Sequence, residues 1–305
     1  MRDKPGAKTA RDHICWWYQL ETSCWWSYSH CSNRIHRPRT MKQTLFFLSG
    51  LPRSGSTLLA SILNQHSQIH TTPTSPLADL LCFIDESFTK LDVQYTYNKE
   101  QIQNNTYTSL LSNFYNHIDK PYIIDKHRAW CRNLGSVQRF TCTSPKIIAT
   151  NRRVPEVLAS YITLIEKNNQ SDNFIDNHLN EYHIPINTDN RLECLWKNYV
   201  SDPYESLVYG LTHYRQNIHL VDYNDLTDNP EQELNKIYEF LNIEPEPHNF
   251  NNIASTCKEE KDAAWGLHNL HTIRPKLQRI NKSPEEIIGE KNTQLYDKFN
   301  IYEKN

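Results

Sequence analysis

The chain has 305 residues, enough for one large domain or two small ones with a real hydrophobic core. Its 33 Lys and Arg residues against 35 Asp and Glu leave a net charge of −2. That balance lacks the basic footprint of a general nucleic-acid binder but leaves room for a local cationic pocket. No apolar run is long enough to span a bilayer, no clean signal-peptide pattern opens the chain, and the eight cysteines are scattered. These features lead to the expectation of a cytoplasmic protein with reduced thiols and no transmembrane segment.

Residues 1–40 read differently from the rest: Trp16, Trp17, Trp25 and Trp26 crowd together with three cysteines and no sustained period. They are expected to form a poorly ordered or non-native N-terminal extension, with 41–305 as a single domain. A membrane- or partner-binding arm is the rival reading. From Met41 onward the pattern alternates. A strand is predicted over 44–48, and Leu58, Leu59, Ile62 and Leu63 then recur at helical spacing. Helices are predicted over 77–88 and 101–118, and strands over 122–124 and 146–149. Val157, Leu158, Tyr161, Ile162 and Ile165 mark another helix. The Asn- and Asp-rich stretch 167–190 reads as a loop or insertion. Helices over 192–200 and 204–214, a strand over 218–221 and a helix over 231–241 complete the pattern. Short apolar strands alternating with helices imply an α/β fold, a central parallel sheet flanked by helices.

The segment Gly50-Leu51-Pro52-Arg53-Ser54-Gly55-Ser56-Thr57 carries two of only seven glycines, between a predicted strand and a predicted helix. Its spacing matches the phosphate-binding pattern G-x-x-x-x-G-K-[ST], except that Ser56 stands where the lysine would be. Glycine lets the backbone curl so that N–H groups converge on an anion, and the following helix adds its positive N-terminal end. Without the lysine, a nucleoside triphosphate loses its principal fixed cation. A less charged phosphosulfate can be held by backbone N–H groups, by Ser54, Ser56 and Thr57, and by Arg53 as an offset cation.

Pro52-Arg53-Ser54-Gly55-Ser56-Thr57 resembles the 5′-phosphosulfate-binding loop P-[RK]-[SA]-G-[ST]-[ST] of sulfotransferases that use 3′-phosphoadenosine 5′-phosphosulfate. The resemblance implies a P-loop NTPase-like sulfotransferase fold, with Pro52, Arg53, Ser54, Gly55, Ser56 and Thr57 around the phosphosulfate. The run from Lys146 to Ser160 is similar to the family's 3′-phosphate element, an arginine at a strand end followed eight residues later by a helical serine. Arg152 and Ser160 match that spacing. Val154 stands where the family usually has proline, and Pro155 follows one residue later, so Arg153 is the alternative. An arginine fork suits a phosphate dianion. Tyr223-Asn224-Asp225-Leu226 and the later Asn229-Pro230 and Phe240-Leu241 are similar to the family's Y-E-D-L and N-P…F-L segments. Tyr223 is read either as a contact to the nucleotide base or as a core tyrosine.

Sulfuryl transfer needs cations near the bridging oxygen and a base for the acceptor's proton. Related enzymes carry a lysine after the strand equivalent to 122–124, which makes Lys126 the second cation beside Arg53. His127 is the candidate base, with Asp79 as the carboxylate alternative. Arg274 and Lys276 lie in a late basic run and are candidate 3′-phosphate contacts. His268 and His271 lack a third and fourth ligand nearby, so no metal site is assigned and no metal is required. The expected activity is transfer of a sulfuryl group to a hydroxyl or amine of a small-molecule, carbohydrate or peptide acceptor, with no nucleic-acid partner. The alternatives are a nucleotide kinase or NTPase with a degenerate loop, for which Asp125 mimics a Walker-B carboxylate, or an inert binding module of the same fold.

Overall fold

The computed structural model describes residues 43–90, 97–141, 143–168, 173–255, 262, 266–279 and 283–301. The expectation for residues 1–40 lies outside the described residues. Five strands form one parallel sheet: β1 Thr44–Gly50, β2 Ile69–Thr71, β3 Tyr122–Lys126, β4 Ile147–Asn151 and β5 Ile218–Asp222. Their order is β2-β3-β1-β4-β5. The chain leaves β1 toward one side of the sheet and later crosses to the other, so a crevice opens where β1 lies between β3 and β4. Open α/β sheets bind ligands at such a crevice, beyond the carboxyl ends of the strands. The register pairs Leu48 with Lys126, Gly50 with Thr150 and Asn151 with Asp222, which brings the ends of four strands to that one edge.

Period-two alternation divides the strand residues between two cores. Phe47, Ile123, Ile147, Ala149, Ile218 and Leu220 face one side. They pack against α2 Leu77–Thr89, α3 Lys99–Asn113, α4 Trp130–Thr141, α5 Val154–Asn168 and α8 Ser201–His213. Phe46, Leu48, Ile124, Ile148 and Val221 face the other, against α1 Ser56–Leu63, α9 Tyr223–Asp228 and α10 Pro230–Leu241. Two short helices near the C-terminus, Pro284–Ile288 and Glu290–Asp297, close against α5. No helix among the described residues is long and apolar enough to cross a membrane.

The stretch 167–190 corrects the loop expectation: it contains one whole helix, Phe174–Glu181, and the start of another, Thr188–Leu195. Asn173 accepts from the N–H groups of Ile175 and Asp176, and Asn187 from that of Asn190. Asn173 and Asn187, which look like loop composition, are therefore helix caps, and buried Ile175 and Leu179 supply the apolar face.

The same alternation puts Asp125 on the Ile123 face of the sheet, opposite α1. It is fully buried, taking hydrogen bonds from the Tyr115 hydroxyl and, at 2.7 Å, from Trp130 Nε1. Burial pushes its carboxyl above the usual range, while hydrogen bonds from Ser75, Tyr115 and Trp130 oppose the shift. Tyr115→Phe strips one oxygen of its donor and should lower stability by about 1–3 kcal/mol. An unchanged urea midpoint would contradict this.

Candidate active site

The loop after β1 is shaped by close approach to its neighbours. Gly50 has φ +126°, and a Cβ there would lie 2.6 Å from Thr150 N and nearer still to Thr150 O. Gly55, φ +89°, leaves no room for a Cβ beside the Tyr223 ring. Arg53 occupies the left-handed region at φ 58° without being glycine, a conformation costing about 1–3 kcal/mol. It persists because both ends of the residue are held: Arg152 Nη1 donates to the Arg53 carbonyl at 3.2 Å, and Arg53 Nε donates to Ser160 Oγ at 3.2 Å.

The Gly50–Thr57 loop and the Arg152/Ser160 element, read separately from the sequence, therefore touch each other. Arg152 is buried, bonded to Glu156 at 3.0 Å, with its guanidinium 4.3 Å above the Tyr223 ring. Arg153 turns the other way, to Asp297 at 2.8 Å; of the two arginines, only Arg152 contacts the loop. Tyr223 is buried between Gly55 and Arg152. Arg53 also reaches the carbonyl of Leu270 and lies 5.9 Å from the centre of the Tyr161 ring. Burial is the largest cause pushing the Arg53 guanidinium below its ordinary range; Tyr161 opposes this, and neighbouring Arg152 adds to it. Tyr223 and the carboxylate of Asp262 also oppose the lowering, and burial outweighs them.

The loop residues divide by direction. Ser54 is buried, its hydroxyl engaged by Leu51 O at 2.5 Å and Thr150 Oγ1 at 2.6 Å, so it offers the crevice only its backbone. Pro52 is buried as well. Ser56 and Thr57 open α1, which no side chain caps, leaving first-turn N–H groups directed outward. Lys126 Nζ donates to Thr57 Oγ1 at 2.7 Å and to Pro73 O at 2.9 Å. An ammonium, not a carboxylate, thus meets the helix-start hydroxyl. Arg274 and Lys276 are exposed, on a segment pinned to the body by Ile253 N to Pro275 O and Leu277 N to Phe250 O, both 2.8 Å.

His127 and Asp79, the two base candidates, lie together: His127 Nε2 is 3.4 Å from Asp79 Oδ1. His127 Nδ1 accepts the Ala129 N–H at 3.2 Å. A ring nitrogen that accepts is unprotonated, so the neutral ring carries its proton on Nε2. A second imidazole, weighed in the sequence only as a metal ligand, has a carboxylate partner that sequence reasoning missed. His271 follows Leu270 and is bonded through both its backbone N–H and its Nδ1 to Asp262, at 2.9 and 2.6 Å. The two lie nine positions apart, and no periodic signal in the sequence links them.

The profile of the sulfotransferase family matches residues 46–247, a span that runs from within β1 through β5 and includes the Gly50–Thr57 loop and the Arg152/Ser160 element. No curated protein matches the chain significantly. Among solved structures, the chain is similar to a mouse sulfotransferase complexed with PAP (15% identity, 84% of this chain and 82% of that one, TM-score 0.49). It is also similar to the sulfotransferase domain of a Synechococcus olefin synthase (15% identity, 90% and 100%, TM-score 0.44), and to a sulfotransferase from Alicyclobacillus acidocaldarius (15% identity, 72% and 90%, TM-score 0.41). With the profile covering more than half of the chain, and a parallel five-stranded sheet whose first strand runs into the glycine loop, the chain belongs to the sulfotransferase family.

Proposed function

We propose that the chain transfers a sulfuryl group from 3′-phosphoadenosine 5′-phosphosulfate to a hydroxyl or amine acceptor. The observation that carries this reading is the convergence of Arg53, Arg152, Ser160, Thr57 and Lys126 on one edge of the sheet, joined by hydrogen bonds of 2.7–3.2 Å. The donor set fits a polyanion. Three cations and three hydroxyls, Ser56 included, stand here; of the neighbouring carboxylates, Glu156 is held by Arg152 and Asp262 by His271.

In this reading the N–H groups of 55–57 and the Ser56 and Thr57 hydroxyls hold the 5′-phosphosulfate. Arg152 and Ser160 hold the 3′-phosphate. Arg53 exchanges its bonds to Ser160 and the Leu270 carbonyl for the donor. Lys126 stays against Thr57, beside the position of the bridging oxygen, where negative charge grows as the S–O bond breaks. Tyr223 supports Arg152 and the loop from below. Arg274 and Lys276 are placed to approach the 3′-phosphate if their segment closes. Against the kinase reading stands the chemistry of the donors: Asp125 lies across the sheet, and an ammonium occupies the neighbourhood of the Thr57 hydroxyl that a magnesium-binding loop reserves for a divalent ion.

Calorimetry against 3′-phosphoadenosine 5′-phosphate in EDTA tests the donor site, and labelled donor offered to a phenol, an aliphatic alcohol, a sugar and an amine tests transfer. Binding and label transfer in EDTA are expected. Binding without transfer to any acceptor would favour the inert module, and binding only of magnesium–ATP the kinase. Arg152→Lys keeps the charge but loses the planar fork, and should weaken the nucleotide about tenfold, one charge-assisted hydrogen bond. Unchanged affinity would remove Arg152 from the site.

A further inference from the structure

We infer that His271, held by the buried carboxylate of Asp262, is the base that takes the proton from the acceptor. The inference rests on the sulfotransferase reading and deepens it.

A general base needs an imidazole nitrogen with a lone pair that nothing else uses. In neutral His127 the only such pair belongs to Nδ1, and the Ala129 N–H occupies it; Nε2 carries the proton and lies beside Asp79. His127 is therefore arranged as a donor. His271 is arranged the opposite way. Its Nδ1 is 2.6 Å from Asp262 Oδ1, and a carboxylate only accepts, so the ring proton sits on Nδ1 and Nε2 keeps its lone pair. Among the described residues nothing is hydrogen-bonded to that Nε2. Nucleophile-activating dyads on other folds use this same division of labour, a carboxylate fixing the tautomer of a histidine whose far nitrogen does the chemistry.

Placement agrees. Asp262 is only 1% exposed, while a third of the His271 side chain is open. The carboxylate is walled in and the ring looks outward. The segment leading to the ring is fixed: Leu267 and Leu270 are buried in the core, Asn168 on α5 exchanges hydrogen bonds with the backbone of His268 at 2.7 and 3.2 Å, and Arg53 holds the Leu270 carbonyl. His271 is thus one residue from a group bonded to the loop arginine. The charged groups that face it are Asp262, Lys126 and Arg128. Burial is the largest cause lowering its pKa from 6.5; the Asp262 bond opposes this, and Lys126 and Arg128 add to the lowering. The ring is neutral, and so able to accept a proton, at physiological pH.

The step balances. The acceptor oxygen forms a bond to sulfur as the bond from sulfur to the bridging oxygen breaks. That electron pair stays on the phosphate oxygen of 3′-phosphoadenosine 5′-phosphate, and the acceptor's proton moves to His271 Nε2 and from there to water.

Two measurements on the full chain test this. In histidine ¹⁵N spectra near neutral pH, His271 should be protonated on Nδ1 alone, with His127 protonated on Nε2. Asp262→Asn, which presents an amide that can donate, should move the His271 proton to Nε2. His271→Asn keeps a donor toward Asp262 but has no Nε2. It should bind 3′-phosphoadenosine 5′-phosphate as the parent does, while label transfer falls roughly 10²–10⁴-fold and the acid limb of the pH–rate profile, with its inflection below 6.5, disappears. His127→Gln should reduce transfer less than His271→Asn. A neutral His271 protonated on Nε2, or a His271→Asn variant that binds the nucleotide and transfers label as well as the parent, overturns the assignment of the base alone. A parent chain that fails to bind the nucleotide overturns the donor reading, and this inference with it.

Discussion

Replacing Lys126 with alanine should lower turnover by roughly 10²–10³-fold while changing the affinity for 3′-phosphoadenosine 5′-phosphate by less than tenfold. The asymmetry follows from where its ammonium stands. Nζ is 2.7 Å from Thr57 Oγ1, at the start of α1, and 2.9 Å from Pro73 O, in the loop after β2. Both contacts hold the ammonium beside the helix start, where the proposed donor would lie. In the ground state the donor's charge is spread over phosphate and sulfate oxygens already met by N–H groups and hydroxyls. In the transition state it concentrates on the bridging oxygen, and one preorganised cation there acts mainly on kcat. The measurement is the split between kcat and nucleotide affinity, with the acceptor returned by the labelled-donor panel. Equal losses in both would make Lys126 a binding residue, and undiminished turnover would remove it from the chemistry. Lys126→Arg should recover part of the rate, because charge is kept while its position shifts by more than an ångström.

What the sequence disclosed of this site, and what it hid, divides along a physical line. Features set by local chain geometry were legible. The glycine spacing announces a loop between strand and helix. Arg152 and Ser160, eight apart, fall on a strand end and the inner side of α5, and Val154 with Pro155 moves nothing, since Arg153 turns to Asp297. Features set by tertiary packing were not legible. Ser54 has the same side chain as Ser56, yet it points into Thr150. Asp125 looks like a metal ligand in sequence until the pleat carries it to Tyr115 and Trp130 on the far face. β2 is three residues long and owes its existence to pairing with β3. The Asp262–His271 pair is joined only because Leu267 and Leu270 bury between them in sequence.

Gly50→Ala should be strongly destabilising, costing about 2–6 kcal/mol. Two terms of about 1–3 kcal/mol add: an L residue forced to φ +126°, and a methyl driven against a neighbour that cannot yield. The neighbour is decisive. The Cβ would meet the backbone of Thr150, in the middle of the sheet, where Gly50 pairs with Thr150 and Leu51 N bonds Thr150 O at 3.0 Å. A flexible side chain could rotate away, but here β1 and β4 must separate or the ladder must break. At Gly55 the obstruction is the edge of the Tyr223 ring, 2.8 Å away, which can tilt. Gly55→Ala should therefore cost less stability and more nucleotide affinity, because the ring it displaces supports Arg152. The glycine that begins the motif is thus expected to serve mainly the sheet, and the one that ends it the proposed nucleotide site. Thermal and urea unfolding of both variants, beside calorimetry with 3′-phosphoadenosine 5′-phosphate, would separate the two roles. A Gly50→Ala protein as stable as its parent would mean that Gly50 does not pack against Thr150 as described.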